Sequence, residues 1–161
     1  MFSYSRLPSP GSPFSFRCCR FVLLGFTLAS ALNACTITPA PAPEPSLYEE
    51  LGGEAGVDRL ATDFIREIAA DERIKGRYRN SDIGRFHRMM KEQMCMETGG
   101  GCTYTGDDMR RTHAGMNISR VEFNGIVEAL MRAMESNDIA QSTQNRLLAI
   151  YAPMHDDIVG R

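Results

Sequence analysis

From Ser46 onward the sequence predicts an all-α fold, and three observations carry that prediction. Apolar residues recur three and four apart, the spacing of one helix face. Ser46 and Ser119 are each followed three residues later by Glu, the capping-box pattern of a helix start. No run alternates Val, Ile or Thr with polar residues in the manner of a strand.

The elements follow in order. Ser46 caps a short helix whose face is Leu47, Tyr48 and Leu51, ended by Gly52-Gly53. A second helix runs from about Glu54 to Ala70 on Val57, Leu60, Ala61, Phe64, Ile65 and Ile68. Asp71-Glu72 opens a short segment through Tyr78. Asn80-Ser81-Asp82 breaks the chain, and Ser81 or Asp82 caps the next helix. That helix carries Ile83, Phe86, Met89, Met90 and Met94 and stops at Thr98-Gly99-Gly100-Gly101. Thr105 to His113 is expected to be a short helix with Met109 and His113 on one face. Ser119 caps a long helix whose apolar face is Val121, Phe123, Ile126, Val127, Leu130, Met131 and Met134. After Asn137-Asp138 a last helix runs from about Gln141 to Val159, kinked at Pro153. Its inner face is Leu147, Leu148, Ile150, Tyr151, Met154 and Ile158.

Charge divides the 161 residues in two. No acid precedes Glu44, while Arg6, Arg17 and Arg20 do. Residues 21–32, FVLLGFTLASAL, are 12 uncharged residues. That fits a signal-peptide apolar region of roughly 7–15 residues and falls short of the ~20 that span a bilayer. Leu32-Asn33-Ala34-Cys35 resembles a bacterial lipobox, with Cys35 the lipid-bearing residue. A plain signal peptide with an incidental Cys is the alternative. Residues 36–45, TITPAPAPEP, form an extended Pro/Ala spacer. Residues 1–34 are thus expected to be a lipoprotein signal peptide, 35–45 a tether, and 46–161 one domain. From Cys35 onward 15 bases face 20 acids, a net charge of −5 against −2 for the whole chain. No basic surplus points to nucleic acid. Thr36 is no retention signal of the Asp type, so by resemblance to bacterial lipoproteins the expected location is the periplasmic side of the outer membrane.

Conventional catalytic motifs are missing. There is no H-E-x-x-H, no G-x-S-x-G and no Walker loop. Cys95 and Cys102 are the thiols of the folded part, seven apart across the Gly-rich turn. In an oxidising compartment they could pair; two free thiols, one of them buried, is the alternative. The histidines are His87, His113 and His155. A lone His is more often structural than a ligand. An all-α domain rich in Met and large apolar residues can nonetheless hold a flat apolar cofactor, and an imidazole is a natural axial ligand to haem iron.

The ordered set Leu47-Tyr48-Glu49-Glu50-Leu51-Gly52-Gly53, Asp63-Phe64, Ala70-Asp71, Gly99-Gly100-Gly101, Tyr104-Thr105-Gly106-Asp107-Asp108-Met109, His113-Ala114-Gly115, Ile118 and Phe123 resembles the group 1 truncated haemoglobins. The resemblance covers about Leu47 to Val159. It implies a truncated globin fold, a two-on-two helical sandwich around one haem b, with His113 the proximal iron ligand. It also implies that Phe64, Tyr78, Phe86, Met90, Met109, Ile118, Phe123 and Val127 line or approach the haem. Ile65 stands beside them where many members carry a Tyr that hydrogen-bonds dioxygen. Phe86 and Met90 occupy positions that often hold Gln. With a distal site so poor in donors, oxygen should leave faster, and carbon monoxide and nitric oxide should be comparatively favoured. His87 is either a distal iron ligand or an exposed His beside Arg85 and Arg88. His155, next to Asp156 and Asp157, is expected at the surface.

The expected function is reversible binding of oxygen or another diatomic gas. The alternative is haem-dependent nitric oxide dioxygenation or peroxidase chemistry. That would need an external reductase, since the chain has no flavin or nicotinamide motif.

Overall fold

The computed structural model describes residues 43–161. The signal peptide, Cys35 and the tether up to residue 42 lie outside the described residues. Helices α1 (Leu47–Glu50), α2 (Gly53–Ala70), α3 (Ile83–Glu97), α4 (Met109–Thr112), α5 (Arg120–Ser136), α6 (Gln141–Tyr151) and α7 (His155–Ile158) make up the domain. Two 3-10 turns, Lys75–Tyr78 and Ala152–Met154, join them. Among the described residues no strand forms, and one parallel bridge pairs Ile118 with Val159. The fold is the two-on-two helical sandwich expected from the sequence, with α2 packed against both α3 and α5.

Local chemistry starts the helices where expected. Ser46 and Ser119 both close capping boxes, with Glu49 and Glu122 reaching back to the cap backbone. Asp82 caps α3, its carboxylate accepting from Arg85 N–H. Between α1 and α2 the chain turns at Gly52, whose φ of 91° suits glycine. Gly56 then passes so close to α1 that an added Cβ would lie 1.8 Å from the Leu51 carbonyl oxygen.

Helix α2 is the centre of the core, burying Val57, Leu60, Phe64 and Ile68. It packs on both α3 and α5. Gly125, Ala129 and Ala133 form one row of α5 and are all buried, so bulk is absent where α5 approaches. Polar rungs show that α2 and α5 run antiparallel: Asn137 donates to Asp63, Arg132 to Glu67, and Arg73 to Glu128. Thr62 with His87 and Asp58 with Lys91 bridge α2 to α3 in the same sense.

Three expectations are corrected. The helix expected over Thr105 to His113 begins only at Met109, because Glu92 holds both the backbone N–H and the hydroxyl of Thr105 and Asp108 supplies the cap. The last helix is not one kinked rod: it ends at Tyr151, passes through a 3-10 turn containing Pro153, and resumes for one turn. Val121, expected on the apolar face of α5, is 61% exposed. Gly125, one turn further along the same row, already faces Arg73 and Ile74 beyond the end of α2, so Val121 overshoots the core.

Cys95 and Cys102 are joined by a disulfide that ties the buried end of α3 to the loop leading to α4. Closing so short a loop should stabilise by about 2.5 kcal/mol in the chain-entropy account. Urea unfolding of the Cys95→Ser/Cys102→Ser protein should therefore show a loss of roughly that size. Gly56→Ala should cost at least about 2 kcal/mol, since backbone rather than a side-chain tip must yield.

Candidate functional site

His113 follows the single turn of α4. Asp108 caps that turn by accepting from Arg111 N–H at 2.8 Å. The ring Nδ1 of His113 lies 2.8 Å from the Met109 carbonyl oxygen. A carbonyl only accepts, so Nδ1 carries the proton and Nε2 keeps its lone pair. Nε2 forms no hydrogen bond among the described residues, and the imidazole faces a cavity.

That cavity holds about 500 Å³, within the roughly 300–1,000 Å³ of ordinary ligand sites. Helix α3 contributes Phe86, Met90, Gln93 and Met94; α5 contributes Phe123, Asn124, Ile126, Val127 and Leu130. Phe64, Tyr78 and Met109 complete the sides, and the stretch from α6 to α7 adds Leu148, Tyr151, Ala152, Met154, His155 and Ile158. No Asp, Glu, Lys or Arg lines it. Among the described residues no three His, Cys, Asp or Glu gather as a metal site of their own. One imidazole with a free lone pair in a large apolar cavity fits a flat apolar cofactor that brings its own metal ligands.

Of the residues singled out in the sequence, Phe64, Tyr78, Phe86, Met90, Met109, His113, Phe123 and Val127 line this cavity. Ile118 does not: it is buried beside it, its carbonyl accepting from Gly160 N–H. Ile65 borders instead a second cavity of about 250 Å³, which shares Tyr78 and Phe86 with the first. His87 also lies outside. Thr62 donates its hydroxyl proton to the Asp58 carbonyl, so its oxygen accepts from His87 Nε2–H at 3.1 Å. That bond turns His87 toward α2, away from the residues that line the cavity.

His155 reaches the surface as expected, its Nδ1 2.9 Å from the Asp156 carboxylate, and its ring also lines the cavity, meeting Phe123 edge-on with centroids 4.9 Å apart. Gln93 and Asn124 were not singled out. Gln93 is only 5% exposed, and its amide donates to two thioethers, Met109 Sδ and Met154 Sδ, both at 3.8 Å. The helical spacing from Phe86 and Met90 places Gln93 on the same face, a signal that could have found it.

Polar ties hold the rim. Arg77 donates to the Met116 carbonyl at 2.8 Å and to Glu122 at 2.6 Å, joining the Tyr78 turn to the loop after His113. Arg110 pairs with Asp157 at 2.6 Å, bringing α7 against α4. The Arg77 guanidinium and the Ser119 cap lower the Glu122 carboxyl to about 2.

An all-α sandwich that closes the His113 imidazole, one nitrogen free, into a charge-free cavity is the architecture of a haem globin. A family model described as bacterial-like globin matches residues 46–159, and the chain belongs to that family, whose cofactor is haem b. The chain is 27% identical over 116 residues to the group 1 truncated hemoglobin of Tetrahymena pyriformis, covering 72% of this chain and 96% of that one. To a group 1 truncated hemoglobin of Mycolicibacterium paratuberculosis it is 25% identical over 113 residues, 70% and 83% of the two chains. The crystal structure of the Tetrahymena pyriformis protein in its Fe(III) form superposes with a TM-score of 0.70 at 26% identity, over 73% of this chain and all of that one. The 2/2 hemoglobin from Synechococcus sp. PCC 7002, in the cyanomet state with covalently attached heme, gives 0.68 at 28% identity over the same shares.

Glu122 supplies a pH test. Its carboxyl is held below its ordinary 4.5, so its contribution is complete above about 4.5 and is lost as pH falls toward about 2. Urea unfolding followed across pH should show Glu122→Gln less stable at neutral pH. Its stability should also fall less steeply than wild type between about pH 5 and 2.

Proposed function

We propose that the domain reversibly binds a diatomic gas, oxygen foremost, on haem b held by His113. The observation that carries this reading is the His113 imidazole, with Nδ1 spent on the Met109 carbonyl and Nε2 free in the cavity. The haem supplies the iron at which the gas binds. The chain's own residues do the rest. The Met109 carbonyl orients the imidazole and makes it a better donor. Phe64, Phe86, Met90, Phe123 and Val127 exclude water. The absence of charge on the walls disfavours a charged product within them.

The purified protein should show a Soret band that sharpens and shifts when the ferrous form takes carbon monoxide. His113→Ala should lose most of its haem. A wild-type protein without a Soret band, or a His113→Ala protein that keeps haem unchanged, would overturn the reading. Nitric oxide dioxygenation with an external reductase is the competing use of the same haem. Loss of nitric oxide by the oxygenated protein with stoichiometric nitrate, well above the rate of free haem, would establish it.

We further propose that Cys35 carries lipid and that the Pro/Ala stretch after it tethers the domain at the periplasmic face of a bacterial membrane. The support is the uncharged run 21–32 followed at once by Leu-Asn-Ala-Cys. Radiolabelled fatty acid should enter the full chain and leave it in Cys35→Ser, with the protein moving from the membrane to the soluble fraction.

A further inference from the structure

Gln93 is an amide on an apolar helix face. Phe86, Met90 and Met94 turn toward the cavity from α3, and helical spacing puts Gln93 among them. It is 5% exposed, and no charged group lines the cavity beside it. Burying an amide costs free energy unless it finds hydrogen-bond partners. An apolar side chain of the same length would avoid that cost. The reason for an amide therefore lies in the contacts it makes.

Those contacts are unusual. Nε2 donates to two thioethers, Met109 Sδ and Met154 Sδ, both at 3.8 Å. Sulfur is a weak acceptor, so neither bond is strong. Their effect is directional. A methionine has three rotatable side-chain bonds and adapts readily to its surroundings, and the two amide protons hold one each. The three residues also come from three elements: α3, α4 and the 3-10 turn Ala152–Met154. The amide is a cross-tie between separate walls of the cavity.

The tie to Met109 reaches furthest. Met109 opens α4, and its carbonyl takes the backbone N–H of His113 at 3.1 Å and the ring Nδ1 at 2.8 Å. A helix of four residues does not hold its own shape, so its first residue needs an outside anchor. Gln93 supplies one, 16 residues earlier in the chain. A line of contacts thus runs from the Gln93 amide to the Met109 side chain, and from the Met109 carbonyl to the imidazole.

We propose that Gln93 is a positioning residue for His113: acting through Met109, its amide fixes the direction of the imidazole nitrogen left free in the cavity. The assignment rests on the haem reading above. Outer partners orient a metal-binding imidazole and set its strength as a ligand. A ring held in one direction makes one kind of iron–histidine bond, and a ring that rocks makes a weaker and more varied one.

The test uses the full chain loaded with haem, with the Soret band as a separate measure of loading. In the diamagnetic ferrous carbon monoxide complex, the Gln93 side-chain amide protons should show nuclear Overhauser contacts to the methyl groups of Met109 and Met154. Gln93→Met keeps the length of the side chain and removes the N–H groups. Its ferrous iron–histidine stretch, read by resonance Raman, should broaden and fall in frequency. Haem should pass to apomyoglobin about tenfold faster, the low end of what losing an outer partner costs a metal site. In a Met109→Leu background the same substitution should shift the stretch no further, because the line of contacts is already cut. Absence of the Overhauser contacts in wild type overturns the assignment, even if Gln93→Met fails to fold. So does a Gln93→Met protein with the wild-type stretch, or a shift of full size in the Met109→Leu background. A wild-type protein that takes no haem overturns the haem reading itself, and the Soret band distinguishes that failure from the others.

Discussion

The close approach of α5 to α2 is the constraint on which the rest of the domain depends. A cavity of about 500 Å³ keeps many large side chains from meeting one another, so the packed core must be built beside it. Gly125, Ala129 and Ala133 let the two helix backbones come together, and Leu60, Phe64, Ile68, Leu130 and Met134 fill the space around that seam. The ion pairs along the seam are largely exposed and add little energy each; their use is to fix register. With α2 and α5 locked, Phe64 presents to the cavity from one helix and Phe123, Ile126, Val127 and Leu130 from the other.

The imidazole is positioned by short-range chemistry laid over that frame. Asp108 starts α4, one turn follows, and the Met109 carbonyl then takes both the backbone N–H and the ring Nδ1–H of His113. A four-residue helix could not hold a side chain alone. Ties from distant parts of the chain restrain it. Gln93 reaches Met109, Arg110 reaches Asp157, and Cys95 anchors the incoming loop through Cys102.

What was legible in the sequence was mostly local. The capping boxes at Ser46 and Ser119 each lie within four residues, and the period of α2, α3 and α5 needs only one helix to be seen. His113 stood out through the ordered glycines, Tyr104 and Met109 before it rather than through its own identity. What the sequence left open lies at long range. His155 beside two acids reads as surface, and it does pair with Asp156, yet the fold also sets it against Phe123, which is 32 residues earlier in the chain. His87 stays open between ligand and surface residue until Thr62, 25 residues away, takes its Nε2–H. Ile65 sits one residue from Phe64 and opens on a different cavity, because neighbours on a helix point about 100° apart. Val121 failed because periodicity says which face is apolar and not where the partner helix ends.

The stretch from Leu148 to Ile158 forms a whole wall of the cavity, yet it leaves the ribosome after every other part of the site. A nascent chain that has reached α5 already carries His113 and the aromatic residues of α2 and α3. It presents them as an open trough, from which a flat hydrophobic molecule could escape as easily as it arrived. Capture therefore becomes durable only once translation has passed this segment and Arg110 has found Asp157. The order in which the walls are made thus sets lasting enclosure of the cavity after synthesis of this segment.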